Sequence, residues 1–220
     1  MPKDTFHNLN SNKKRRIFDA AVKEFSTRRF SEASINQIVK AAEISRGSIY
    51  QYFNDKEDIY LYMCAEIAKE KQAIASRLDP LHPDAGVFEE LIYKTKLSLE
   101  LERQRPEYKQ IAMLMEKDDS AFIEKLRALS SADIERVRGL FERDKQRGLI
   151  KQNVDSGLVI EMVHTLAMKE YFQSGVDSDL FSGRMLEIIR IIREGIACNK
   201  KKEEHPFPPV VGHKDGEDSI

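Results

Sequence analysis

The chain has 220 residues, of which 41% are hydrophobic, 33% charged and 8% aromatic, and its formal net charge is −1. This composition is typical of a packed, helix-rich protein and excludes wholesale disorder. No apolar run approaches the roughly 20 residues that a membrane span needs, and the polar N-terminal stretch lacks the apolar block of a secretory signal, so we expect a cytoplasmic protein with no membrane contact.

The first predicted helix follows from a repeat of apolar residues. Ile17, Ala21 and Phe25 recur every four residues, which predicts an amphipathic helix from residue 13 to about residue 26. The second helix begins at "SINQ", where Ser34 can cap the helix and Gln37 can reach back to it as a capping box. No stretch shows the sustained alternation of a half-buried strand. We therefore expect an all-α fold.

Further polar signals place the remaining helices. Ser45 can cap a short third helix that ends near residue 53, and Asn54 with Glu57 can cap a fourth that runs towards Leu78. Gly148 predicts a turn. More helices are expected over residues 84–103, 108–115, 119–147 (one helix or two), 155–172 and 179–198. The last twenty or so residues mix charge, proline and glycine without periodicity, which indicates a disordered tail over 200–220.

The short third helix has two different faces. On a helical wheel Ile49 and Phe53 fall together and can bury against the first two helices, while Arg46, Gly47, Tyr50 and Gln51 fall opposite them. Arginine can bond guanine and glutamine can bond adenine, each bidentately, in the DNA major groove. Residues 1–60 carry a net charge of +3, whereas the rest carries −4, which favours an anionic partner near the N-terminus. Two short helices joined by a tight turn behind a supporting helix are typical of a helix-turn-helix.

The run "RRIFDAAVKEFSTRRFSEASINQIVKAAEISRGSIYQYFNDKEDIYLYM" strongly resembles the DNA-binding domain of TetR-family transcriptional regulators. The residues that fall on the family pattern at the right spacing are Ser34, Ile35, Ile38, Ala42, Ser45, Gly47, Ser48, Tyr50, Tyr52, Phe53 and Lys56. The resemblance implies a helix-turn-helix domain over residues 13–58, a flexible arm over 1–12, and a larger helical domain over 59–199. It also implies a homodimeric regulator with no cofactor and no catalytic residues. Such a regulator is most often a repressor released from its operator by a small molecule.

The resemblance also implies which residues touch DNA. The expected contacts on the third helix are Arg46, Gly47, Ser48, Tyr50, Gln51 and Tyr52, with Arg46 and Gln51 on bases and the two tyrosines on the backbone. Ser34 and Asn36 are expected at phosphates, with base contacts left open, and Lys56 is expected to clamp a phosphate. Arg29 and Glu43 stand where many relatives have glycine, which predicts strained or differently shaped turns.

The remainder of the chain is expected to hold the dimer interface and an effector cavity. The last two long helices are apolar nearly all round, so a second copy of the chain is the simplest partner for their outer faces. Candidate cavity residues are Tyr93, Met113, Met115, Phe122, Met162, His164, Tyr171 and Phe172, although core packing explains each of them too. Two alternatives stay open: a DNA-binding dimer without an effector, and a helical metal enzyme built on Glu161 and His164 of "EMVH". That motif occurs once, whereas a di-iron site needs it twice.

Overall fold

The computed structural model describes residues 2–129, 131–173 and 178–198, and the regular elements in these ranges are all α-helices. In chain order they are α1 (Asp4–His7), α2 (Ser11–Phe25), α3 (Ile35–Ala41), α4 (Arg46–Tyr52), α5 (Lys56–Ala75), α6 (Val87–Gln104), α7 (Glu107–Glu116), α8 (Ala121–Leu129), α9 (Ser131–Gln146), α10 (Ser156–Gln173) and α11 (Ser178–Ile196). The all-α prediction is confirmed. The predicted tail over 200–220 lies outside the described residues.

The predicted helix ends agree with the structure to within a few residues. Residues 119–147 form two helices, α8 and α9, and the turn predicted at Gly148 has a φ of 69°, a left-handed value that glycine adopts without a steric cost. The fourth cap differs in detail. Asp55, and not Asn54, precedes the first turn of α5, and its side chain accepts a hydrogen bond from the Asp58 amide at 2.9 Å.

The N-terminal segment is a docked helix, which corrects the prediction of a flexible arm. Phe6 in α1 is only 2% exposed. Its ring contacts Phe53 and Tyr62, with centroid separations of 5.1 Å and 4.7 Å. Burial of a phenylalanine contributes about 1.5–3 kcal/mol, which holds this short segment against α4 and α5.

One hydrophobic core joins the helix-turn-helix to part of the larger domain. It contains apolar residues of α1 to α5 together with Tyr108 and Ile111 of α7 and Ile123 of α8. Phe122 of α8 packs on Phe30, with ring centroids 4.5 Å apart. The expected boundary at residue 58 is therefore not a boundary in the packing, because side chains from α7 and α8 complete the core of the first five helices.

A second core lies in the other half of the molecule. Its buried residues come from α6, α9, α10 and α11 and from the loop before α10, and they include Phe88, Phe141, Ile150 and Ile189. Ile150 pairs with Ala197 in a single antiparallel bridge, which ties the end of α11 to that loop. Helix α6 contributes Val87 and Phe88 from its N-terminal end to this second core. Its C-terminal end lies next to α7, beside the first core.

The two positions where glycine is expected behave differently. Glu43 follows α3 with a φ of 53°, so the predicted strain is present there. Its carbonyl accepts a hydrogen bond from the Arg16 guanidinium at 3.2 Å. Arg29 does not adopt a positive φ, and its guanidinium bonds Glu32 and the Lys117 carbonyl instead.

Candidate nucleic-acid interface

Helix α4 presents one polar face to solvent and buries the other. Its N-terminus is capped by Ser45, whose hydroxyl oxygen accepts a hydrogen bond from the Ser48 amide at 3.1 Å, as the sequence predicts. Ile49 and Phe53 are each 1% exposed and pack in the first core. This burial fixes the rotation of α4 about its axis, and the opposite face is therefore presented outward by packing.

The outward face of α4 carries the groups that suit a major groove. Arg46, Gly47 and Gln51 are exposed, and Tyr50 is 43% exposed. Within the part of the chain that the structure describes, no carboxylate pairs with Arg46, so its five N–H donors are available for a base or a phosphate. Ser48 is half-buried, and its hydroxyl lies 2.7 Å from the hydroxyl of Ser45.

The N-terminal segment binds the last turn of α4. The Lys3 amide donates to the Tyr52 carbonyl at 2.9 Å, and the Lys3 ammonium donates to the Tyr50 carbonyl at 2.8 Å. The Thr5 hydroxyl donates to the Gln51 carbonyl. The last carbonyls of a helix have no partner within the helix, so Lys3 and Thr5 occupy acceptors that would otherwise need water. Sequence reasoning missed this contact. Its one signal was Phe6, a lone aromatic residue in a polar segment.

Tyr52 is a core residue, which corrects the expectation that it faces a duplex. It is 6% exposed, and its ring packs edge-on against Phe6 with a centroid separation of 6.1 Å. The ammonium of Lys13 lies over the same ring, 5.4 Å from its centroid. The side chain of Tyr52 therefore links α4 to α1 and α2.

The start of α3 leaves two polar side chains available. Ser34 is at the cap position, but its side chain makes no capping bond. Its amide donates to the Glu24 carboxylate at 2.8 Å, so the predicted capping box is wrong, because Glu24 of α2 takes the place expected for Gln37. Asn36 is exposed in the first turn of α3. The hydroxyl of half-buried Ser34 and the amide of Asn36 remain candidates for phosphate contact.

Lys56 is directed into the protein, which corrects its expected availability as a phosphate clamp. Its ammonium donates to the carbonyls of Ala33 at 2.9 Å and Ser31 at 3.3 Å, and it lies 4.6 Å from the centroid of the Phe30 ring. Burial lowers the pKa of Lys56, and the nearby charges of Asp118 and Glu24 only partly oppose that shift. Lys56 thus holds the loop before α3 against the start of α5.

A cleft of about 480 Å³ lies between the two cores, within the size range of small-molecule sites. The cleft is lined by α5, α6 and α7 on one side and by α10 and α11 on the other. Its apolar residues include Leu91 and Leu101 of α6 and Phe181, Met185 and Ile189 of α11.

The described residues that line this cleft do not include the predicted effector residues Tyr93, Met113, Met115, Phe122, Met162 and His164. Tyr93 donates its hydroxyl to the Ala75 carbonyl at 3.2 Å and faces a smaller depression, and Phe122 packs in the first core. Met162 and His164 are exposed on α10, and Met113 and Met115 are half-buried on α7. The side chains of Tyr171 and Phe172 lie outside the described part. Apolar residues at helical spacing suit a core, a surface or a cavity, so the spacing alone does not decide which of these candidates contact an effector.

Helices α10 and α11 expose large apolar side chains. Leu158 and Leu180 are each 55% exposed, Ile191 is 56% exposed and Met162 is 44% exposed. Burying such a surface against a partner is favourable because it removes apolar area from water.

Glu161 and His164 of "EMVH" are also exposed, and in the residues described no three His, Cys, Asp or Glu side chains converge where they could hold a metal ion. No described helix combines the length and apolarity needed to cross a bilayer.

Sequence comparison relates the first helices to known regulators. The sequence model for bacterial regulatory proteins of the tetR family matches residues 17–63. The transcriptional regulator HbdR of Aromatoleum sp. (strain CIB) is 37% identical over 73 residues, which are 32% of each chain. AcrR of Shigella flexneri is 43% identical over 44 residues, 20% of each chain. The chain therefore matches under a third of the length of these two relatives.

Comparison of folds extends over most of the chain. A TetR-family transcriptional regulator from Chloroflexus aurantiacus J-10-FL has a TM-score of 0.69 at 25% identity, over 90% of this chain and 100% of that one. FadR of Bacillus subtilis, solved in complex with stearoyl-CoA, has a TM-score of 0.61 at 19% identity, over 80% of this chain and 97% of that one. The similarity of fold thus includes the helices behind α4 as well as α4 itself.

Proposed function

Because the chain belongs to the TetR family of bacterial regulatory proteins, we propose that it is a transcriptional regulator that binds double-stranded operator DNA through α4. The observation that carries this proposal is the outward face of α4. Arg46, Tyr50 and Gln51 are exposed there together, on a helix whose rotation is fixed by buried Ile49 and Phe53. Arg46 and Gln51 contact base edges, and Tyr50, Ser34 and Asn36 contact the backbone.

The proposed regulator acts as a homodimer. Two copies of α4 must lie about 34–36 Å apart to enter successive major grooves, and symmetric pairing of two chains provides such a spacing. The apolar side chains exposed on α10 and α11, such as Leu158 and Ile191, support an interface through these two helices. Light scattering at working concentration tests this assembly, for which a mass of twice the chain is expected.

The proposed regulator is a repressor that a small molecule releases from its operator. The cleft beside α6 supports an effector site, and FadR, a protein of this fold, was solved with stearoyl-CoA. The effector shifts the population towards a dimer in which the two copies of α4 no longer fit the duplex. A regulator without an effector is the alternative in this class, and it is favoured if no compound occupies the cleft.

Selection of bound genomic fragments followed by titration tests the function. Arg46→Ala is expected to weaken binding to a selected fragment by about 1–3 kcal/mol and to relax the preference at one base pair, because a bidentate contact to a base is lost. Arg77→Ala is the matched control. It also removes one exposed cation, but it lies just beyond the far end of α5. Equal effects of the two substitutions, or no binding to duplex DNA even at low salt, would contradict the proposal.

A further inference from the structure

The cleft between the two cores has one apolar wall and one mixed wall, called the charged wall below, which combines apolar residues such as Leu91 and Leu101 with charged ones. The described lining residues from α10 and α11 are Val163, Ala167, Met168, Phe181, Met185 and Ile189, all apolar. The charged lining residues come from the opposite side, formed by α5, α6, the residue after α6, and α7. They are Lys71, Lys94, Glu102, Arg105 and Lys109. An occupant that matches both walls has an apolar body and a charged group at one side.

The sign of that charged group follows from the ion pairs. Glu102 is the one carboxylate among the described lining residues, and buried Lys109 already bonds it at 2.8 Å. Lys94 pairs with Asp133, which lies outside the lining. Lys71 is exposed and forms no ion pair with any residue that the structure describes. Arg105 pairs with Glu70 and Glu107, so Lys71 is the one cation among the described lining residues without a carboxylate partner, which favours an anion beside it.

Arg105 connects the charged wall to the DNA-binding half of the molecule. Its guanidinium bonds the Glu70 carboxylate of α5 at 3.2 Å and 3.3 Å, and it lies 3.6 Å from the Asp19 carboxylate of α2. Glu70 also pairs with Arg15 of α2 at 3.0 Å. The Arg105 guanidinium lies 5.6 Å from the centroid of the Phe18 ring as well. One side chain thus faces the cleft while it holds α2 and α5, the helices on which α3 and α4 pack.

We propose that the cleft binds an amphipathic carboxylate, with its apolar body against α10 and α11 and its carboxylate between Lys71 and Arg105. The bound carboxylate competes for the Arg105 guanidinium with Glu70 and Asp19, and also with Glu107, which accepts a hydrogen bond from Arg105 Nε at 2.6 Å. Occupancy of the cleft therefore weakens the contact between α2 and the end of α6. The position of α4 relative to the DNA changes as a result. The consequence for DNA depends on the proposed regulatory function, whereas occupancy of the cleft does not.

The ligand class is tested by calorimetric titration of the full chain with matched compounds below their micelle concentrations. Each of two bodies, octyl and 4-phenylbutyl, is supplied as the carboxylate, the primary alcohol and the trimethylammonium ion. At least one carboxylate is expected to bind one per chain, about tenfold or more tighter than its matched alcohol, because hydrogen bonds to charged groups are the stronger ones. If no carboxylate exceeds its alcohol, or if a cation binds best, the assignment is overturned.

Two substitutions locate the bound anion. Lys71→Gln is expected to weaken carboxylate binding by about threefold to tenfold and to leave alcohol binding unchanged. Lys96→Gln removes an exposed cation of α6 that does not line the cleft, and it is expected to have no effect. Equal losses in both variants would mean that the carboxylate responds to net charge alone, which overturns the site.

The role of Arg105 is tested with Glu70→Gln and, as its control, Glu66→Gln, one turn earlier on α5. Removing the competing carboxylate at Glu70 is expected to tighten carboxylate binding about threefold to tenfold and to weaken the response of DNA affinity to the compound. Asp19→Asn, on the exposed side of α2, provides a second variant with a smaller effect in the same direction. Unchanged compound affinity in both variants overturns the competition. Failure of the wild type to bind any DNA would refute the proposed function and leave the calorimetric result to decide the ligand class.

Discussion

The docking of α1 on α4 makes Phe6→Ala the most informative single substitution. Phe6 is 2% exposed and contacts the rings of Tyr52, Phe53 and Tyr62. Truncating a buried phenylalanine in a rigid core costs about 3–5 kcal/mol. Because α1 is only four residues long, it can detach and avoid the cavity, so the cost is limited to the free energy of docking. We expect the free energy of unfolding to fall by about 2–3 kcal/mol, and Tm by about 4–12 °C for a chain of this size.

Circular dichroism at 222 nm measures the unfolding, and hydrogen exchange reports on α1 directly. The Lys3 amide, which donates to the Tyr52 carbonyl, is expected to lose its protection in Phe6→Ala. Affinity for a selected DNA fragment is expected to fall about threefold to tenfold, because the final turn of α4 loses the partners of its carbonyls. Phe6→Leu retains most of the side-chain volume and should cost about 1 kcal/mol, and Asn8→Ala alters an exposed residue beside α1. If Phe6→Ala is as stable as Asn8→Ala and the Lys3 amide stays protected, α1 is not docked.

Two further predictions concern Lys56 and Glu43. Lys56→Met is expected to lower the free energy of unfolding by about 1–3 kcal/mol, because the carbonyls of Ser31 and Ala33 lose their donor, while the salt dependence of DNA binding stays unchanged. If the dependence of log affinity on log salt concentration were instead smaller by about one unit in this variant, Lys56 would be a phosphate contact. Glu43→Gly is expected to raise the free energy of unfolding by about 0.5 kcal/mol in denaturant titration, since relief of the positive φ exceeds the loss of one exposed ion pair and the backbone entropy of glycine. Arg29→Gly, where φ is not positive, should lower it, and the same sign for both substitutions would refute the argument from strain.

The features of α4 that depend on residues close in sequence were predictable. The 3.6-residue period separates Ile49 and Phe53 from Arg46 and Gln51 whatever surrounds the helix, and Ser45 caps a turn that begins one residue later. The all-α fold class was predictable for a similar reason, because helical periodicity recurs along the chain and no segment has the period of a strand.

The features that depend on distant partners were not predictable from local patterns. The Ser34 amide bonds Glu24, which comes from the preceding helix, so a local capping box could not reveal it. Lys56 looked like a solvated cation until the fold placed two carbonyls beside its ammonium. The lining of the cleft was not predictable for the same reason: periodicity identifies apolar positions such as Met162, but the packing of whole helices decides which of them line a space.

The shared first core has a consequence for protein engineering. The family segment ends at residue 63, yet Phe30 and Tyr60 inside it pack on Phe122, and Tyr108 and Ile111 belong to the same core. A chimaera that joins only this segment to the remaining helices of another protein would leave the rings of Phe30 and Tyr60 against non-native surfaces. A chimaera that keeps this native packing has to include α7 and α8 as well, so the shortest transferable segment is more than twice as long as the segment that sequence similarity outlines.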